Sequence, residues 1–192
     1  LYINDLELNG CADPSVIAVE EGERTCFYLY CTGVKGYYSY DLSSWIQIKD
    51  CFPRSSGSWS KADYWAPEVI YDEEAKLYRM FYSASSAEGY FYVSMAVSES
   101  PKGPFRQWTG TNADGLEITE KTPIYDFSRM DASHPLYEGV IRAIDAHPFV
   151  DPATGDKYLY WVRGWNAGGT VQHDTSEIWV VKMKDWETPD YS

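Results

Sequence analysis

Two aspartates stand where short apolar runs meet turns. Asp13 opens Asp13-Pro14-Ser15-Val16-Ile17, and Asp145 follows Val140-Ile141-Arg142-Ala143-Ile144. Asp-Pro is common turn chemistry, because Asp accepts local backbone hydrogen bonds and Pro fixes φ. Asp13 alone would be read that way. Asp145 asks for more: an acid directly after an apolar run loses solvation and needs a reason, and catalysis is one. Two convergent carboxylates near aromatic rings fit sugar chemistry. A glycosidic oxygen leaves poorly at neutral pH, so one carboxylic acid must protonate it. A second carboxylate activates water or attacks the anomeric carbon. Tyr and Trp faces stack on the apolar faces of sugar rings, and the chain carries 17 Tyr and 8 Trp. Trp65 and Trp165 are the rings expected nearest the sugar.

Other polar residues surround this pair in the reading. His147 is two residues beyond Asp145 and shares its side of a strand. Substrate contact, a bond to Asp13 and simple packing are all open to it. Glu68 faces the same cavity in this reading and is assigned a site-lining, substrate-binding role. Arg142 reads as a structural ion-pair partner, and Asn166-Ala167-Gly168-Gly169 as a loop shaping a subsite. The carboxyl-rich turns at 20–23 and 72–74 read as solvated hairpins. No ligand spacing typical of calcium or zinc appears, so no metal and no cofactor is expected.

The elements that must position these groups are strands. Runs of Tyr, Val, Ile, Phe and Trp alternate with Gly, Pro, Asp and Ser clusters, and helical periodicity is nearly absent. Strands are expected at 15–19, 27–31, 37–39, 68–71, 77–83, 90–98, 149–150, 157–162 and 176–182. A repeat organises them. Asp13-Pro14-Ser15-Val16-Ile17 leads to Phe27-Tyr28-Leu29-Tyr30, and Ala66-Pro67-Glu68-Val69-Ile70 leads to Leu77-Tyr78-Arg79-Met80-Phe81-Tyr82. His147-Pro148-Phe149-Val150 leads to Lys157-Tyr158-Leu159-Tyr160-Trp161. Each unit is a strand entered from a Pro-containing turn, then a hairpin, then an aromatic strand. Four-stranded units repeated in this way are the blades of a β-propeller; a β-sandwich with similar hairpins is the alternative. In a propeller the first strands of the blades line one central channel, so Asp13 and Asp145 converge. The repeat aligns on the prolines or, two residues away, on the aspartates, and either register turns both acids the same way.

Bulk properties narrow the partners. A net charge of −13 with only 16 Lys and Arg repels phosphate backbones and anionic bilayers, so neither nucleic acid nor membrane is an expected partner. No apolar run approaches the roughly 18 residues a membrane helix needs. Cys11, Cys26, Cys31 and Cys51 admit two readings, four semi-buried thiols or one to two disulfides in an exported protein. Cys26 and Cys31 face opposite sides of a strand and cannot pair with each other.

Ala12-Asp13-Pro14-Ser15-Val16-Ile17, Trp65-Ala66-Pro67-Glu68-Val69, Ser100-Pro101-Lys102-Gly103-Pro104-Phe105 and Ile144-Asp145-Ala146-His147-Pro148-Phe149-Val150-Asp151 occur in this order. Together they resemble glycoside hydrolase family 43, which includes β-xylosidases, α-L-arabinofuranosidases, arabinanases and xylanases. The resemblance implies an all-β, five-bladed propeller that hydrolyses with inversion, acting on plant-type polysaccharides or oligosaccharides. It implies that Asp13 is the general base and that Asp145 tunes and orients the general acid. That acid is a Glu on the next blade, usually in Glu-Gly-Pro, and no Glu-Gly-Pro occurs here. Glu177 reads as structural and Glu187 as part of a polar tail. The expectation is therefore that residues 1–192 form an incomplete catalytic domain of about three blades, starting near 13, 66 and 145. The remaining blades and the acid would come after Ser192 or from another chain, and the fragment alone would be inactive. A propeller left open would expose unpaired strand edges. A non-catalytic carbohydrate-binding propeller and a protein-presenting scaffold are the competing readings. Polymeric glycans are extracellular, so a secreted or periplasmic location is expected.

Overall fold

A computed structural model of the chain describes residues 8, 10–125, 127, 142–164 and 176–192. No α-helix occurs among them; the elements are strands. The first sheet is antiparallel and runs β1 (Ser15–Glu21), β2 (Arg24–Cys31), β3 (Lys35–Ser39) and β4 (Ile46–Ile48). The second runs β5 (Ala62–Asp72), β6 (Leu77–Ser85), β7 (Phe91–Ser98) and β8 (Arg106–Gln107), followed by a small hairpin of β9 (Gly110–Thr111) and β10 (Glu117–Ile118). The third runs β11 (Arg142–Val150), β12 (Lys157–Gly164), β13 (Glu177–Asp185) and β14 (Thr188–Pro189). Three four-stranded meanders in chain order are three blades of a propeller.

Side-chain alternation explains why the blades stack. In β6, Tyr78, Met80, Tyr82 and Ala84 enter a core shared with the first blade, which supplies Cys26, Tyr28 and Tyr30 from β2. Phe81 points the other way, into a core with Leu159, Trp161, Val181 and Met183 of the third blade. A strand that feeds two cores must be apolar on both faces, hence its unbroken aromatic character. Each fully buried aromatic contributes on the order of 1.5–3 kcal/mol of burial. Tyrosine serves here because the hydroxyl finds a partner: Tyr30 donates to Pro101 O and Tyr125 to Trp186 O.

Several local expectations change. Pro67 and Pro148 were read as lying in turns before short strands, but both sit inside longer ones. β5 and β11 are the first, edge strands of their sheets, where a missing N–H deprives no neighbour of a ladder bond. Cys11 and Cys31 form a disulfide with Cα atoms 5.2 Å apart, while Cys26 and Cys51 are buried free thiols. The reading of four thiols therefore fails for one pair. Cys26 and Cys31 do face opposite sides, Cys26 toward the second blade and Cys31 toward Leu29 and Tyr37. Burial pushes the Cys51 thiol up to about 12, which leaves it protonated and unreactive.

Candidate active site

Strand register defines which residues of the blades are equivalent. Ser15 of β1 pairs with Tyr30, Glu68 of β5 with Phe81, and His147 of β11 with Tyr160. Two residues upstream of each stand Asp13, Ala66 and Asp145, with φ of 53°, 41° and 56°. The aspartate register is thus the structural one. Non-glycine residues in the left-handed region are uncommon, and three at matched positions mark a repeated device. At Ala66 and Asp145 it coincides with a bulge in the ladder, between Trp65 and Glu68 and between Ile144 and His147. A bulge re-aims the side chain it carries.

Hydroxyl groups of the preceding blade hold these bulges. The Ala66 N–H donates to Thr32 Oγ1 at 3.1 Å, and the Asp145 N–H donates to Ser83 Oγ at 2.9 Å. Thr32 and Ser83 are themselves equivalent, each two residues past the partner of the first strand. Thr32 Oγ1 also donates to Asp13 Oδ2 at 2.6 Å. β1 and β11 both lie against β5, so the two aspartates flank the second blade from either side.

Electrostatics tie the pair together. Asp145 is open to solvent on one side, yet the protein crowded around it raises its pKa above the ordinary carboxylate value. The negative charge of Asp13 raises it further, and Arg142 opposes both. The two carboxylates therefore lie within electrostatic reach of each other. Among the described residues Arg142, read from the sequence as an ion-pair partner, packs on aromatic rings while its charge acts on Asp145. Its guanidinium lies over Phe91 and Trp65, 4.8 and 5.3 Å from the ring centroids, and those rings stack at 4.6 Å. Trp65 therefore supports the cation that faces Asp145, a cation–π arrangement beside the acids.

Glu68 and His147, equivalent on adjacent blades, meet: Oε1 and Nδ1 are 2.9 Å apart, with both side chains partly exposed. Ser15, the third member of that set, accepts the Val69 N–H at 3.4 Å. Trp165 and the loop 166–169 lie outside the described residues. The late glutamates are engaged elsewhere. Glu177 accepts from the Trp179 indole at 2.9 Å, and Glu187, read as part of a polar tail, pairs with buried Arg79. Asp72 is likewise not solvated; it is buried and pairs with Arg79 at 2.7 Å. No group of three His, Cys, Asp or Glu suited to a metal ion occurs among the described residues. A cavity of about 980 Å³ runs between the second and third blades past Trp59, Tyr90 and Tyr125, and none of Asp13, Glu68, Asp145 and His147 lines it.

Thr32, Ser83 and Phe91 were not singled out in the sequence. Hydroxyls two residues past equivalent aromatic positions (Tyr30 and Phe81) were the available signal, but they become visible only once the ladder register is known. Arg142 was noticed, though for a different partner.

Comparison with known proteins gives the arrangement a context. A search of curated proteins finds no match. A thermostable family-43 glycoside hydrolase is 27% identical, with a TM-score of 0.63 over 91% of this chain and 48% of its own. An endo-1,4-beta-xylanase from Bacteroides thetaiotaomicron is 26% identical, with a TM-score of 0.57 over 91% of this chain and 47% of its own. An endo-arabinase from the same organism, 24% identical with a TM-score of 0.63, shares the fold over 89% of this chain and 50% of its own. The chain spans about half the length of these structures and supplies part of a propeller. The sequence profile described as Glycosyl hydrolases family 43 matches residues 8–189, nearly all of the chain and every residue of the Asp13–Asp145 site, and the chain belongs to that family.

Proposed function

We propose that the complete protein is an inverting glycoside hydrolase acting on xylan- or arabinan-type plant polysaccharides or oligosaccharides. Asp13 is the general base: its carboxylate takes a proton from water as the water attacks the anomeric carbon. Asp145 tunes the pKa of a general acid and orients that acid, a glutamate contributed by a blade outside these 192 residues. That acid protonates the leaving oxygen from the opposite face, so base and acid stand about 6.5–9.5 Å apart. The observation that carries this reading is the pairing of Asp13 and Asp145. They hold the same left-handed position on the first and third blades, and the charge of one is felt at the other. Trp65, Glu68 and His147 line the approach and contact the sugar, with Trp165 assigned the same role from its sequence position.

Family membership supports the glycosidic bond as target, and the xylanase and endo-arabinase among the similar structures support pentose polymers. The reaction needs no cofactor, since two carboxyl groups and water complete it. The disulfide supports a secreted or periplasmic site of action. Without its acid, the 192-residue chain alone turns over no substrate.

The test uses the full-length protein on aryl-xyloside, aryl-arabinofuranoside, xylan and arabinan. Asp13→Asn is expected to lower kcat by about 10²–10⁴-fold, the usual weight of a general base. Proton NMR of the first-formed anomer reports inversion. Wild-type rates in Asp13→Asn would remove the base from this position. Calorimetric sugar binding without turnover in the wild type would make the protein a carbohydrate-binding propeller instead.

A further inference from the structure

Asp13 lies before the first ladder pair of β1, which begins at Ser15, so no sheet hydrogen bond fixes it. It also holds a backbone conformation that L-residues adopt at a cost. Something else must keep it there. The chain on its other side supplies four ties within a few residues. Cys11 is bonded to Cys31; the Thr32 N–H donates to Ala12 O at 2.9 Å; Lys35 Nζ donates to Gly10 O at 2.9 Å; and Thr32 Oγ1 donates to Asp13 Oδ2 at 2.6 Å.

The direction of the last bond follows from proton counting. A threonine hydroxyl has one proton and two acceptor sites. Its oxygen already accepts the Ala66 N–H, and a carboxylate only accepts, so the proton goes to Asp13. Thr32 is thereby held from both sides: by the first blade through Cys31, and by the second blade through Ala66 and the Gly33 N–H to Tyr64 O bond at 2.6 Å. One carboxylate oxygen of Asp13 is occupied, and Oδ1 takes no hydrogen bond from the described residues.

We propose that Thr32, locked in place by the Cys11–Cys31 disulfide, is the positioning residue that aims Asp13 and leaves a single oxygen for the attacking water. The proposal rests on the reading of Asp13 as general base and adds to it the device that orients that base. A carboxylate free to rotate presents its oxygens in many directions, whereas one pinned at Oδ2 presents Oδ1 in one. Misplacement of a reacting group by about 1 Å is enough to cost on the order of 10²-fold in rate.

The test compares Thr32→Val, Thr32→Ser and the double variant Cys11→Ser/Cys31→Ser in the full-length protein, each checked for folding by circular dichroism and thermal melting. Thr32→Val keeps the shape and loses the hydroxyl. It is expected to lower kcat roughly 10–100-fold with KM within about threefold of wild type. Thr32→Ser restores kcat to within about threefold. The double variant lowers kcat in the same direction, and Thr32→Val added to it costs little more, because both act through one carboxylate. A second readout needs no turnover: carbon-detected NMR titration of the Asp145 carboxyl. In Thr32→Val the rise imposed on Asp145 by Asp13 changes, whereas in Thr32→Ser it does not. Unchanged kcat and an unchanged Asp145 titration in folded Thr32→Val would overturn the proposal. Full activity in Asp13→Asn would overturn the base assignment instead, and the titration would still report whether Thr32 aims Asp13.

Discussion

A carboxylate whose neighbour is another carboxylate lives under a conflict between stability and use. Asp145 has a raised pKa, first because protein crowds it and then because Asp13 repels its charge. The folded state therefore holds the Asp145 proton more tightly than the unfolded chain does. Stability from this group is full below the ordinary carboxylate value of 3.8 and is lost as pH rises through the raised one. Asp145→Asn removes the charge and keeps the shape, and Asn tolerates the left-handed backbone at φ 56°. That variant is expected to melt higher than wild type at pH 7, with the gap closing toward pH 3.5, while in the proposed mechanism hydrolysis by the full-length protein falls because the acid loses its tuning partner. Differential scanning calorimetry at the two pH values measures the gap. A gap that is equal at both would mean Asp13 and Asp145 do not share an electrostatic site. Asp72 runs the other way. Burial opposes its ionisation, but the Arg79 bond and nearby backbone N–H groups hold its pKa below the ordinary value, so its contribution disappears in acid.

At the scale of the element, β6 shows what a strand sequence tells and what it withholds. Its aromatic run announced a strand buried on both faces, and alternation assigns Tyr78, Met80 and Tyr82 to one core and Phe81 to the other. Arg79 in the middle of that run carried no such message. It bonds Asp72 at the end of β5 and Glu187 in the turn before β14, with all three side chains almost fully buried. Asp72 and Glu187 looked solvated because their partner belongs to another strand in one case and another blade in the other. Replacing Arg79 with Ala strands two carboxylates in the interior, which costs about 3–5 kcal/mol by the usual penalty for breaking a buried pair. Chemical denaturation of the variant measures it; a loss below about 1 kcal/mol would mean water already reaches these groups. The site was legible to the same degree. Two aspartates at repeated positions could be found from spacing alone. The bulges that aim Asp145 and the hydroxyls that hold them could not, because a left-handed Ala66 or Asp145 is dictated by Thr32 and Ser83 on the preceding blade. Local sequence specified the strands; contacts between blades specified their irregularities.

At the scale of the molecule, what an open propeller exposes is a face, not the strand edges expected from the sequence. Register puts Phe149, Tyr160, Ile178 and Val180 on one side of the third blade: Tyr160 pairs with Val180, Ile178 with Val162, and the Phe149 and Tyr160 rings touch. Their neighbours on the other side, Leu159, Trp161, Val181 and Met183, are buried against the second blade. Both faces are apolar, yet one is covered and the other has Ile178 at 80% exposure. A patch of this kind marks a surface built to be covered. In the proposed complete ring it is the seat of a further blade, docked as the third blade docks on the second. The consequence is a substitution whose sign depends on chain length. Ile178→Lys in the 192-residue chain removes an exposed apolar side chain, so it is expected to lower binding of a hydrophobic dye and leave the melting temperature nearly unchanged. In the full-length protein the same lysine would have to be buried, and the domain is expected to lose on the order of 2–4 kcal/mol, the transfer of one large side chain plus the cost of an unpaired charge. If Ile178→Lys leaves the stability of the full-length protein as it was, this face is not an inter-blade surface, and the ring does not close over the third blade in the way the stacking of the first three implies.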